Sequence, residues 1–115
     1  MRSPPFASFG ANTMFRLVIT EAAHDDLDEA LAYIATVLEN PAAATALADE
    51  VESVYRAIRA HPEAHPFCDS PRLTAMGYRK AAVKNYLFVF RVDSTGKRVI
   101  VLRFFHQTQD YLGVL

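Results

Sequence analysis

Cations gather in the last third of the chain. Arg79, Lys80 and Lys84 fall close together, Arg91 and Arg103 follow, and His106 and Tyr111 come just after them. An imidazole titrates near neutrality, so His106 could pass a proton, and the guanidinium groups of Arg79 and Arg103 could stabilise extra charge on a phosphate. Those three residues form the catalytic alternative. The competing reading is a docking surface in which none of them is catalytic, because a lone histidine after an aromatic pair (Phe104-Phe105) packs and hydrogen-bonds more often than it catalyses. Lys and Arg on an edge strand also serve simply to keep other chains from pairing with it. Tyr111 is expected to anchor the tail on the core with its hydroxyl at the surface.

Other chemistry is poorly provided for. His24, His61 and His65 are widely spaced, with no carboxylate at matching intervals, so no metal site is expected. Cys68 stands alone among loop prolines, which excludes an internal disulfide and a cysteine-built metal site and leaves the thiol without an evident activating partner. No cofactor is expected. No apolar run is long enough to span a bilayer and the first residues lack an apolar leader, so the reading is a cytoplasmic protein with no membrane partner. With 115 residues, 51% hydrophobic and 22% charged, the chain has the composition of one ordinary globular domain with a single core.

The formal charge of -1 conceals a division. Residues 21–63 carry ten acids against Arg56 and Arg59, whereas residues 64–115 carry eight bases against Asp69, Asp93 and Asp110. Same-sign charge on one layer creates a field that steers partners of opposite sign. The alternative is two solvated faces that complement each other.

Periodicity supplies the elements that must hold these residues. Phe15, Leu17 and Ile19 alternate with Arg16, Val18 and Thr20, as in a strand. Thr20 can cap a helix whose first turn holds Glu21. Leu27, Leu31, Ile34 and Leu38 then recur at helical spacing, and Asn40-Pro41 ends that helix and starts another along Leu47, Val51, Val54 and Ile58. Pro62, Pro66 and Pro71 make the stretch through Met76 a loop. Tyr78 to Lys84 and Tyr86 to Asp93 read as strands around Lys84-Asn85, with Asn85 suited to positive φ, and a second hairpin leads into Arg98 to Phe105. That last strand is apolar on both faces and should be central. The order strand-helix-helix-strand-strand-strand implies an α+β two-layer sandwich, a helical hairpin packed on a small antiparallel sheet. Residues 1–13 are expected to be a loosely ordered arm, or a strand-edge or partner contact through Phe6 and Phe9, ahead of a domain spanning 14–115.

Taken in order, the acidic helix from Glu21 to Leu38, Asn40-Pro41-Ala42-Ala43-Ala44, Gly77-Tyr78-Arg79-Lys80, Val83-Lys84-Asn85-Tyr86, Phe90-Arg91-Val92-Asp93, Val101-Leu102-Arg103 and Gln109-Asp110-Tyr111 resemble the RelE/ParE superfamily of type II toxin-antitoxin toxins. The resemblance spans Met14 to Leu115. It implies a small cytoplasmic bacterial toxin of the plasmid-stabilisation kind, held inactive in a hetero-oligomer by a cognate antitoxin that wraps it. Relatives either cut messenger RNA on the ribosome or poison DNA gyrase. The RNA-cutting branch carries an arginine in the strand after the hairpin turn and cations beyond the last strand, where this chain has Leu87, Gln107 and Thr108. The resemblance therefore leans to the non-enzymatic, ParE-like branch and a gyrase inhibitor, although many ParE-like relatives are also basic where Gln107 and Thr108 stand. A ribosome-dependent ribonuclease and a non-toxic antitoxin-binding homologue remain the alternatives. Arg79, Lys80, Lys84, Arg91, Arg103, His106 and Tyr111 are the expected antitoxin- or target-binding residues. The antitoxin is expected to set apolar side chains between helical hairpin and sheet, and acids against Arg79, Lys80 or Arg103.

Overall fold

A computed structural model describes residues 14–109 and 113–115. The expected arm, residues 1–13, and Tyr111 lie outside the described residues. Strand β1 (Arg16–Ile19) leads through Thr20 into helix α1 (Glu21–Ala32), which runs on as a wider turn at Tyr33–Val37. Helix α2 (Pro41–Ala60) returns antiparallel to it. A tight turn at Pro62–Ala64 and short helix α3 (Pro71–Ala75) precede strands β2 (Tyr78–Val83), β3 (Tyr86–Asp93) and β4 (Arg98–His106).

The caps are those the sequence implies. Thr20 Oγ1 accepts from the Ala23 amide at 3.2 Å, while the same hydroxyl donates to Leu102 O at 2.9 Å and the Thr20 amide to Val101 O at 3.0 Å. One residue thus joins β1, α1 and β4. Asn40 Oδ1 accepts from the Ala43 amide at 3.1 Å, with Pro41 in the first turn, where its missing amide costs nothing.

The sheet order is β1-β4-β3-β2, with β4 central as expected and β3 the other inner strand. One feature differs from the sequence expectation of a wholly antiparallel sheet. β1 pairs with β4 in parallel, Leu17 opposite Val99 and Ile19 opposite Val101. Pairing between strands eighty residues apart is set by how the helical hairpin crosses the sheet, which local pattern does not encode. The helices cover one face, over Phe88, Phe90, Val99, Val101 and Phe104. Rings of Tyr55, Phe88, Phe104 and Tyr86 follow one another at centroid separations of 4.8, 4.6 and 4.9 Å, the outer two pairs stacked and the middle pair tilted by 46°. Each such pair contributes about 0.5–1.5 kcal/mol beyond its buried area.

Three further details depart from the sequence reading. The stretch from Pro62 to Met76 is not a plain loop, since Pro62 and Pro71 each begin a helical turn rather than preventing one. It folds beneath the opposite sheet face, where Cys68 and Leu73 pack with Leu87, Val89 and Phe105, which explains why β3 and β4 are apolar on both sides. In the β2–β3 turn positive φ falls on Lys84, at 53°, rather than on Asn85. Finally, Leu38 leaves the helical stripe. The Leu38 amide donates five residues back to Tyr33 O at 3.1 Å, and that wider turn rotates Leu38 out to 55% exposure.

Candidate functional site

The cations do not converge. Arg79 Nη1 donates to His65 O at 2.6 Å and Glu63 O at 3.4 Å, and its guanidinium lies 4.0 Å from the centre of the Phe67 ring. It fastens the segment around Pro62–Ala64 to β2. Lys80, on the opposite face by strand alternation, reaches Asp69 at 2.9 Å. Lys84 stands at the hairpin turn. Arg91 is exposed on β3, opposite Tyr78.

Arg103 is the most tightly engaged. Its Nε donates to Asp26 Oδ2 at 2.7 Å and its Nη2 to Asp26 Oδ1 at 3.0 Å, and the Phe104 amide donates to Oδ2 at 3.0 Å. The hydrogen bonds it donates to Asp26 push the Arg103 pKa further up. β1 ends before this point, so an acid from α1 satisfies the edge of β4 where no strand is left to do so. The register breaks between Val89 and Phe90, leaving Leu102 as the extra residue of a bulge just before Arg103.

His106, at the end of β4, stands edge-on to Tyr86 at 5.1 Å and shares a 2.8 Å hydrogen bond between Nδ1 and Thr108 Oγ1. Arg79 sits opposite Phe90 and His106 opposite Tyr86, on different flanks of β3. Four residues of strand place them roughly 13 Å apart along the sheet. The catalytic alternative of His106, Arg79 and Arg103 is therefore not assembled: Arg103 and His106 share a cleft and Arg79 lies elsewhere.

That cleft runs along the open side between α1 and the ends of β3 and β4. Its polar lobe, about 350 Å³, is bounded by Asp26, Glu29, Tyr33, Arg103, His106 and Gln109. An apolar lobe of about 310 Å³ adjoins it across Tyr33, Tyr86 and His106, with Ile34, Leu38, Ala43 and Leu47 on one wall and Lys84 and Asn85 on the other. Beside it Tyr33, Val37 and Leu38 are 51%, 63% and 55% exposed. Gln107, just past β4, holds the β2–β3 turn to that strand's end: its Nε2 donates to Lys84 O at 3.1 Å and Tyr86 O at 3.2 Å.

The chemistry on offer is modest. In the polar lobe the carboxylates of Asp26 and Glu29 face a guanidinium already bound to Asp26, so with a neutral imidazole the lining carries a formal charge of -1 and does not favour a phosphodiester. The apolar lobe adds the ammonium of Lys84 to hydrophobic walls. Among the described residues no cluster of metal-binding side chains occurs. Sequence reasoning did not single out Asp26, Glu29, Tyr33 or Tyr86. The acidic run in α1 was the available signal, but it did not say which acid would meet β4.

Comparison with known proteins follows the same lines. Residues 17–111 match the family described as ParE toxin of type II toxin-antitoxin system, parDE. Among solved structures, the chain is similar to one from the chromosomal ParDE toxin-antitoxin system of P. aeruginosa, at 21% identity and TM-score 0.65, covering 82% of this chain and 97% of that one. It is similar to a chain of the toxin-antitoxin complex RelBE2 of Mycobacterium tuberculosis, at 19% identity and TM-score 0.57, covering 81% and 98%. A YoeB/ParE toxin of Agrobacterium tumefaciens superposes at 18% identity and TM-score 0.53, covering 79% and 97%. No curated protein matches. These likenesses show a common fold.

Proposed function

Because the chain belongs to the family of ParE toxins of type II toxin-antitoxin systems, we propose that it inhibits DNA gyrase by binding, without catalysing a reaction, and is neutralised in a cytoplasmic hetero-oligomer with a cognate antitoxin. The observation that carries this reading is the Asp26–Arg103 pair. It occupies the guanidinium that lines the cleft of His106, and it leaves that cleft without net positive charge. A phosphate-cleaving site needs unengaged cations where charge develops.

The antitoxin sets apolar side chains into the groove beside Tyr33, Leu38 and Ala43, where large hydrophobic groups stand exposed. Arg79 and Arg103 are already committed to loop carbonyls and to Asp26, so within this groove Lys84 is the cation assigned to an antitoxin acid. Among the described residues no helix is long and apolar enough to cross a membrane.

A second reading rests on Glu29, Tyr33, Arg103 and His106 sharing one cleft: ribosome-dependent cutting of messenger RNA. One comparison separates the two. The purified chain is expected to inhibit DNA supercoiling by gyrase and leave ribosome-bound messages intact. Message cleavage that disappears in His106→Ala, with folding retained, would establish the second reading instead. Normal growth on expression without antitoxin would indicate a homologue that binds but is not toxic.

A further inference from the structure

One face of the sheet lies under the helices, and the other is covered only in part. Strand alternation sends Phe88, Phe90, Val99 and Val101 beneath the helices and the residues between them to the opposite side. There, toward the β2–β3 turn, the segment from Pro62 to Met76 buries Leu87, Val89 and Phe105. The far half of that face has no such cover among the described residues. In register across the four strands it presents a row of Val18, Ile100, Arg91 and Tyr78, and beside it a second row of Arg16, Arg98 and Asp93. Ile100 lies on an inner strand yet is only half-buried, and neither it nor Val18 belongs to either hydrophobic cluster. Arg98 donates to Asp93 Oδ2 at 2.8 and 3.1 Å. The guanidinium groups of Arg16 and Arg91, both exposed, meet no hydrogen-bond or ion-pair partner among the described residues. Three arginines thus stand against one acid around an apolar centre.

We propose that this uncovered half-face, centred on Ile100 and Arg91, is where the chain grips an acidic protein surface of its target, a proposal that rests on the reading of the chain as a gyrase inhibitor that acts by binding. An apolar centre with a tyrosine and arginines around it is the anatomy of a protein–protein contact, in which aromatic and guanidinium groups carry most of the energy. A nucleic-acid backbone is met by cations and needs no apolar centre. Charge narrows the choice further. Residues 1–13 contain Arg2 and no acid, so that segment of the chain does not complement the patch. A second copy would have to offer its acidic helical layer, a head-to-tail contact that does not close on itself. The groove assigned to the antitoxin opens on the helical side near Lys84 and shares no residue with this face. The parallel pairing of β1 with β4 is what sets Arg16 beside Arg98 and Val18 beside Ile100, and so completes the patch.

The test measures affinity for purified gyrase and inhibition of supercoiling, using the full chain. The double variant Arg16→Glu, Arg91→Glu changes two exposed side chains, so circular dichroism and the thermal midpoint are retained while gyrase affinity falls at least about tenfold. Arg56→Glu reverses an exposed charge on α2, away from the patch, and its affinity stays within about twofold of the parent. A folded double variant that inhibits like the parent overturns the assignment of this face and leaves the gyrase reading standing. An equal loss in Arg56→Glu overturns it as well, since overall charge would then account for the effect. Binding of the parent to duplex DNA alone, abolished in the double variant, would give the face to nucleic acid instead, and concentration-dependent assembly in light scattering, abolished likewise, would give it to a second copy. If the parent neither binds nor inhibits gyrase, the gyrase reading fails and this assignment falls with it.

Discussion

Asp26 uses both carboxylate oxygens, and three hydrogen bonds, to tie α1 to β4. Arg103 and Asp26 are only 28% and 17% exposed at their side chains, so removing the acid leaves a partly buried guanidinium and a strand amide unsatisfied. Asp26→Ala is expected to cost about 2 kcal/mol in urea unfolding, with Asp26→Asn losing less because the amide oxygen still accepts from the Phe104 amide. A loss below about 0.5 kcal/mol would mean that the pair is merely superficial. His65 offers a second test. Burial, and then the nearby Arg79 charge, lower its pKa. A histidine with a depressed native pKa contributes stability that is complete above its unfolded value of about 6.5 and is lost as pH falls from there toward the native value. The thermal midpoint should therefore drop between about pH 7 and about pH 5 in the parent, and drop less in His65→Gln. Equal slopes for the two proteins would contradict this account.

The wide turn at Tyr33–Val37 is the element that creates the apolar groove. One added residue in the hydrogen-bonded ring shifts the helical phase, so Leu27, Leu31 and Ile34 face the core while Leu38 does not. Leu38→Asp should thus change the unfolding midpoint little, since a group 55% exposed loses little burial, yet weaken the antitoxin complex at least about tenfold in calorimetric titration. Unchanged affinity would place the antitoxin elsewhere. Tyr33, where that turn begins, lines both lobes of the cleft together with Tyr86 and His106.

At the scale of the whole molecule, the helical layer is acidic and the sheet half basic, so an acidic partner approaching the sheet is steered by an unbalanced field. The association rate with the antitoxin should fall about tenfold between low and high salt in stopped-flow mixing, with dissociation much less affected. A salt-independent association rate would show that the two charge layers cancel each other. What the sequence determined by itself is whatever depends on neighbours a few residues apart: the stripes of α1 and α2, the caps at Thr20 and Asn40, the paired hairpins, and an order of elements characteristic enough to match a family. Tertiary structure decided what depends on residues far apart. Asp26 and Arg103 are separated by 77 positions, β1 runs parallel to a strand formed at the other end of the chain, and Arg79 is taken up by carbonyls of a turn that the prolines had marked only as loop. Hydrophobic period and capping are local, so they are written in the chain. The partner of a charge is fixed only once two layers have packed, because every cation in the sequence had several acids it could have met.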